Sequence, residues 1–382
     1  MNSTKPNISI LSITLGSGGA EKVISLLLKM LRTDYNVTLV LFYNHIHFQI
    51  PEDINVVYLS TETPNRPFYA KFADLVSFKK KYNAFIKQEN ISISISFLAF
   101  PNLLNGMIAS TNPNLKTIIS ERGFPSDNTS SKLSLYISKL FYPIYYNKCT
   151  KLFSNSVYIN TDLKDNFGVK IPMDVIYNPI ELPEKTITPE TLNTTFKNFK
   201  IITAGTLNKR KNHIMILRAL QDNTQPYKLT ILGGGELHNY LTQEISNLKL
   251  QNKVTLAGKV KHVNEYLLKQ HCFVLSSFTE GFPNALIEAM AMGLPCISTN
   301  CLSGPLELLN DNETITITPG TFHLGKYGIL INNDDHEGLK HALAFFNNNP
   351  KEREKYSQLS LQRAKEYELK SIYSKFYNFL NN

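Results

Sequence analysis

The chain has 382 residues, 42% of them hydrophobic, with 40 Lys+Arg against 31 Asp+Glu for a formal net charge of +9. That length exceeds one ordinary core and sets an expectation of two domains, while the apolar content excludes global disorder. The 4 cysteines, Cys149, Cys272, Cys296 and Cys301, lack CxxC spacing, which excludes a disulfide framework and points to a reducing, cytoplasmic compartment.

Met1 to Asn7 is polar, and Ile8 to Leu15 is too short for a secretory signal before Gly16 and Gly18 interrupt it. No run approaches the roughly 18–20 apolar residues that span a bilayer. Ile8 to Thr14 reads as a buried strand, Gly16 to Gly19 as a turn, and Glu21 to Leu31 as a helix. Strands follow at Val37 to Tyr43, Val56 to Leu59, Ile91 to Phe97 (strictly alternating), Thr117 to Ser120 and Leu152 to Ser154. After a polar stretch with Pro179, Pro183 and Pro189 the pattern restarts. Lys200 to Ala204 is a strand and His213 to Leu220 a helix. Leu229 to Leu232 runs into Gly233, Gly234 and Gly235, and Val254 to Leu256, Phe273 to Ser276 and Cys296 to Thr299 complete the strands. A last helix covers about Lys351 to Leu380.

Alternating β and α segments predict parallel sheets covered on both faces, so the fold class is α/β with two Rossmann-like, doubly wound domains. The expected division is an N-terminal domain at 1–180, a linker at 181–199 and a C-terminal domain at 200–362. A helix at about 363–382 is expected to pack back on the first domain.

Gly16-Ser17-Gly18-Gly19-Ala20-Glu21 joins a strand to a helix, where backbone N–H groups can hold an anion. It is not the dinucleotide fingerprint, whose third glycine would fall at Glu21, nor a P-loop, which needs Lys-Ser or Lys-Thr. A plain β–α turn reads equally well. The strongest signal is Ser276 to Ala291 (SSFTEGFPNALIEAMA), which follows an apolar strand. Pro283 and Asn284 start a helix, with Leu286, Ile287 and Met290 on its buried side. Glu280 lies at the strand's carboxyl end, where open α/β sheets bind ligands, and Glu288 lies about a turn into the helix. A carboxylate can take two vicinal hydroxyls, and a helix N-terminus favours a diphosphate.

Two glutamates so spaced resemble the EX7E motif of the retaining glycosyltransferases of family 4. Gly18-Gly19-Ala20-Glu21, Ser120-Glu121-Arg122, Val175 to Ile180, Ala204 to Leu207 with Lys211-Asn212-His213, Leu232 to Leu237 and Leu256-Ala257-Gly258 resemble the family's other motifs in order. The resemblance covers Ile8 to about Leu330 and implies the GT-B fold, its two domains facing across a cleft. It implies that Glu280 contacts the donor sugar, Glu288 the ribose and Lys211 the phosphates, with Glu280 and Lys211 as the catalytic pair. It also implies donor contacts at Gly18, Gly19, Gly205, Gly258, Val260, Gly281, Phe282, Pro283, Asn284, Ala285 and Leu286. The family usually has Arg where this chain has Thr206; Arg210 or Lys209 is expected to compensate, a solvated turn being the other reading of both.

No DxD pair stands at a strand end, and His45 and His47 lack a partner at ligand spacing, so neither a metal nor another cofactor is expected. Diphosphate departure would rest on positioning and electrostatics from Lys211, the glycine amides and the helix after Pro283. The resemblance implies retention of anomeric configuration. Asn102 and Arg122, each following a predicted strand, are candidate acceptor-binding residues; loop capping and a surface ion pair are their alternatives.

Lys132 to Lys148 is apolar, aromatic and flanked by lysines, suited either to a membrane interface or to a core helix. Phe68 to Lys81 carries the same ambiguity. The expected function is transfer of a hexose or N-acetylhexosamine from a nucleotide sugar, a UDP-sugar by resemblance, to a polyprenyl-diphosphate-linked glycan. The setting would be bacterial surface polysaccharide assembly, at the inner face of the cytoplasmic membrane with an anionic lipid surface as partner. No basic stripe accompanies a nucleic-acid-binding motif, so nucleic acid is not an expected partner. The alternatives are an enzyme like the non-hydrolysing UDP-N-acetylhexosamine epimerases and a non-catalytic sugar-nucleotide-binding module.

Overall fold

A computed structural model describes residues 5–63, 68–127, 132–221 and 225–382, apart from the side chains of 68–73. The chain divides into two compact units, Met1–Pro179 with Leu369–Asn382, and Ile180–Glu368.

The first unit runs β1 (Asn7–Ser12), α1 (Gly19–Asp34), β2 (Asn36–Tyr43), β3 (Asn55–Ser60), α2 (Phe68–Gln88), β4 (Ile93–Phe97), α3 (Ala99–Ala109), β5 (Lys116–Glu121), α4 (Lys132–Tyr145), β6 (Lys151–Ser154), α5 (Val157–Phe167) and β7 (Met173–Val175). Its parallel sheet has the order β3-β2-β1-β4-β5-β6-β7. Side-chain alternation builds a layer on each face. Ile8 and Ile10 of β1, with Leu39 and Leu41 of β2, pack with α1 on one face. Leu11, Val40 and Phe42 pack with Leu75, Phe78 and Tyr82 of α2 on the other.

β4 departs from the expected alternation of buried and open positions. All five of its residues are buried, the serines included. Tyr82 Oη and Ser94 Oγ share a 2.6 Å hydrogen bond, and Ser94 Oγ donates to Asn105 Oδ1 at 2.8 Å. Polar alternation therefore marks a hydrogen-bonded layer here, not a wet face.

The second unit runs β8 (Phe199–Ala204), α6 (His213–Leu220), β9 (Tyr227–Leu232), α7 (His238–Asn247), β10 (Val254–Gly258), α8 (Val263–Leu267), β11 (Cys272–Leu275), α9 (Asn284–Ala291), β12 (Cys296–Thr299), α10 (Pro305–Asn310), β13 (Phe322–Leu324), β14 (Ile329–Ile331), α11 (His336–Asn348) and α12 (Pro350–Lys365). The sheet order is β10-β9-β8-β11-β12-β14-β13, parallel except for β13 against β14.

The segment expected as a linker, 181–199, is fastened to the second unit. Ile187 and Leu192 are buried in it. Arg353, fully buried, donates through Nε to the Leu192 carbonyl at 3.1 Å and also binds the Thr194 carbonyl. A proline- and threonine-rich composition gave no sign that its carbonyls would be collected by one distant arginine. The single last helix expected from the sequence is two. α12 ends at Lys365, and α13 (Leu369–Asn381) belongs to the first unit. There Phe376 packs against Phe153 at 5.1 Å, and Tyr373 Oη donates to Asp34 at 2.6 Å. Among the described residues, no helix is long and apolar enough to cross a membrane.

Candidate functional site

In the second unit the strand order reverses direction between β8 and β11. A doubly wound sheet opens a crevice at such a switch point, beyond the carboxyl ends of its strands. The two loops leaving those strands, 205–212 and 276–283, hold the charged cluster anticipated from the sequence.

Glu280 is buried, and its carboxylate meets two cations. Lys211 Nζ lies 2.5 Å from Oε1, and Arg210 Nη1 lies 2.9 Å from Oε2. Ser277 Oγ donates to Oε1 at 2.5 Å. Burial acts to raise the pKa of this carboxyl. The Lys211 and Arg210 charges and the Lys211 and Ser277 hydrogen bonds outweigh it and hold the group below its ordinary value. Glu280 is thus an anion in a nearly dry place.

The backbone around it is fixed on both sides. Glu280 N donates to the Leu302 carbonyl at 2.7 Å. Ser303 Oγ donates to the carbonyls of Glu280 and Gly281 at 3.0 and 2.7 Å. Thr299 Oγ1 holds the Ser277 carbonyl at 2.6 Å.

The cations are placed as firmly. Residues Lys209–Lys211 form one 3-10 turn, in which the Asn208 side chain accepts from Lys211 N at 3.1 Å. Asn212 follows at φ 47°, in the left-handed region that asparagine tolerates. Its amide donates to Asp334 at 2.9 Å. Arg210 Nη1 also donates to the Thr279 carbonyl at 2.7 Å, and Phe278 N donates to the Arg210 carbonyl at 2.8 Å. Arg210, not Lys209, therefore joins Lys211 on Glu280, while Thr206 and Lys209 are exposed. The next residue, His213, is buried, and its pKa falls to about 4 through burial and the Lys211 charge, so it is neutral.

Other expected donor residues divide by what they present. In α9, Asn284, Ala285 and Glu288 are half-buried along one face, whereas Leu286, Ile287 and Met290 are buried opposite them. Phe282 and Pro283 are buried too, the Phe282 ring lying 5.8 Å from Tyr367. Phe282, Pro283 and Leu286 can thus offer a ligand only backbone. Gly205, Gly258, Val260 and Gly281 are half-buried around the strand ends. Gly233, at φ 132°, has to be glycine, because a Cβ there would collide with the Gly205 carbonyl.

In the first unit, Gly18 caps α1 and Gly19 opens it. The Glu21 carboxylate lies against Gly18, where a Cβ would strike it. The helix N-terminus thus already faces an anion of its own.

Asn102 is a core residue, not a surface one. It is fully buried, accepts from Ser96 Oγ at 2.8 Å and donates to the Ser120 carbonyl at 2.9 Å, tying β4 to β5. Arg122 is no surface ion pair either. Its buried guanidinium lies 5.6 Å from the Phe97 ring centre and 5.5 Å from that of Phe153. Burial lowers its pKa to about 9 and raises that of Glu121 to about 7, with Tyr146 Oη donating to Glu121 at 3.0 Å. Leu98, just past β4, is held at φ 74° and ψ 160°, a region other residues usually leave to glycine.

Sequence reasoning missed Ser277 and Ser303. The only signals were a Ser-Ser pair closing a strand and Ser-Gly-Pro opening a helix, both common in loops.

The chain matches two family models, "Glycosyltransferase Family 4" over residues 17–183 and "Glycosyl transferases group 1" over residues 185–363. Over 370 residues, 94% of this chain and 95% of that protein, it is 29% identical to the Campylobacter jejuni N-acetylgalactosamine-N,N'-diacetylbacillosaminyl-diphospho-undecaprenol 4-alpha-N-acetylgalactosaminyltransferase. It is 32% identical to an uncharacterized glycosyltransferase of Methanocaldococcus jannaschii over 240 residues, 60% of this chain and 59% of that one. Among solved structures, Anabaena HepE in complex with UDP-glucose superposes with a TM-score of 0.76 at 15% identity, covering 98% of this chain and 99% of that one. The lipopolysaccharide outer core galactosyltransferase WaaB superposes with a TM-score of 0.73 at 16% identity, covering 97% and 98%. At those identities the likeness shows the fold, which is that of the GT-B glycosyltransferases.

Proposed function

Since the chain belongs to glycosyltransferase family 4 and is a transferase, we propose that it moves one sugar from a nucleoside diphosphate sugar to a hydroxyl of a lipid-linked glycan, with retention at the anomeric carbon. The observation that carries this reading is the buried Glu280 carboxylate held by two cations at the switch point. A diphosphate entering the crevice would compete with Glu280 for Lys211 and Arg210. As they turn to the phosphates, Glu280 is released toward the hydroxyls of the sugar.

Glu288, on the half-buried face of α9, is the proposed ribose contact, and a UDP-sugar is the proposed donor. The leaving diphosphate gathers charge as the glycosidic bond breaks, and Lys211 and Arg210, once turned from Glu280, meet that charge. We assign that work to these side chains and propose no metal. The acceptor hydroxyl would attack on the leaving-group face and pass its proton to the departing phosphate. The full-length likeness to an enzyme named for a diphospho-undecaprenol acceptor supports a polyprenyl-diphosphate-linked glycan in bacterial surface-polysaccharide assembly, and work at a membrane surface.

The test is nucleoside diphosphate release from a panel of nucleotide sugars, with chelator and a lipid-linked glycan extract present. Release with one donor, dependent on acceptor and abolished by Lys211→Ala and by Glu288→Ala, is expected. Release that ignores acceptor, or epimerised donor without release, would replace the transfer reading with hydrolysis or epimerisation.

A further inference from the structure

The face of α4 that does not pack on the first unit is a row of large apolar side chains. Leu133 is 67% exposed, Tyr136 71%, Leu140 59% and Ile144 44%. At about 100° per residue they fall within a stripe roughly 80° wide and about 16 Å long. Tyr142 lies opposite the stripe and is buried in the core of the unit, with Leu135 packed against the same core. α4 is thus anchored on one side and apolar on its outer side, the reverse of a surface helix that turns its polar residues to water.

Charge on this segment has one sign. From Lys132 to Lys148 there is no Asp or Glu, and the basic residues are Lys132, Lys139 and Lys148. All three are exposed. Lys132 and Lys139 project from one flank of the stripe on the same helical count. Lys139 Nζ lies 5.9 Å from the Phe167 ring and Lys148 Nζ 5.5 Å from the Tyr145 ring, so both stems run along aromatic surface while the ammonium groups stay at its edge.

We propose that the outer face of α4 docks the protein on an anionic phospholipid bilayer. Leu133, Leu140 and Ile144 enter the acyl boundary, Tyr136 sits at headgroup level, and the lysines meet lipid phosphates. An apolar stripe rimmed by lysines fits a bilayer surface, which offers hydrocarbon below and negative charge above. A protein partner would need its own carboxylates set to match. The proposal is independent of the sugar donor, but its choice of occupant rests on the lipid-linked acceptor proposed above.

The experiment is flotation of the purified full chain with vesicles of phosphatidylcholine alone and of phosphatidylcholine with phosphatidylglycerol. Leu133→Ser/Leu140→Ser and Lys132→Gln/Lys139→Gln proteins run beside it. The wild type should float with the anionic vesicles and lose that binding in high salt. Each double variant should bind about ten-fold more weakly or worse, with an unchanged melting temperature and unchanged acceptor-dependent nucleoside diphosphate release in detergent-dispersed glycan extract. That acceptor-dependent release tests the transfer reading separately, so the two can fail independently. Three results overturn the proposal: a wild type that stays with the soluble fraction, a Leu133→Ser/Leu140→Ser protein that floats like wild type, or a wild-type dimer in sedimentation velocity that this variant dissolves. The last would assign the face to a second copy of the chain.

Discussion

Replacing Lys211 with methionine keeps most of the side-chain volume and removes the cation nearest Glu280. The Lys211 side chain is 14% exposed and that of Glu280 5%, so the pair is screened little by solvent. Removing one partner of a buried pair costs about 3–5 kcal/mol. Arg210, 45% exposed, stays on Oε2 and offsets part of that loss, so about 2–3 kcal/mol is expected at pH 7. For a unit of this size that is a fall in melting temperature of about 4–12 °C. The pH dependence gives the sharper check. In the wild type the Glu280 carboxyl is held low, so its stabilisation is complete above the unfolded carboxylate pKa and is lost as pH falls through the folded one. Without Lys211, burial faces only Arg210 and Ser277, and the carboxyl's pKa rises. Protonation then relieves the variant as pH falls, while the wild type loses its advantage. Scanning calorimetry from pH 7 to pH 4 should show the two melting temperatures converging. A gap that stays constant over that range, or a loss under about 1 °C at pH 7, would refute the picture of a buried carboxylate carried by Lys211.

Arg210→Ala should raise the donor KM or the nucleoside diphosphate Kd by about ten- to thirty-fold, as loss of a charge-assisted hydrogen bond would, with Lys209→Ala near wild type; equal effects in a titration would return the pair to a solvated turn. Glu288→Ala should weaken donor binding about ten-fold or more; calorimetric titration reads it, and an unchanged Kd would remove Glu288 from the ribose. Asn102→Ala should cost about 2–3 kcal/mol of stability in urea unfolding by orphaning polar groups of β4 and β5. Its acceptor KM should match wild type in the surviving folded fraction, and a raised KM at full stability would restore Asn102 to the acceptor site.

Most of the sheet strands were legible because short β-branched, apolar runs between polar segments say where a buried strand stands. The three that were not, β7, β13 and β14, are three residues each. Ile329-Leu330-Ile331 is as apolar as any strand here, yet too short to show a period. At the site, spacing and resemblance together put Glu280 and Lys211 in one place and left Arg210 and Lys209 open; the structure has Arg210 and Lys211 on Glu280. Position along the chain could not do the same for Asn102 and Arg122. Both follow strands as a ligand-binding residue would, but an amide bridging two strands and a guanidinium between two aromatic rings are made by tertiary neighbours far away in sequence. The hydroxyls of Ser277 and Ser303 escaped for the same reason, since nothing local distinguishes them from loop solubility.

The placement of α13 has a consequence for biosynthesis. Its residues 369–381 leave the ribosome only after the whole of Ile180–Glu368, yet Phe376 and Phe379 cover Phe153 in the first unit. At ordinary translation speeds the first unit waits roughly 10–40 s without that helix. Over that interval the apolar face around Phe153 lacks its cover, whereas the second unit needs no later residue to close its own core. The unit that is made first is therefore the one that finishes last.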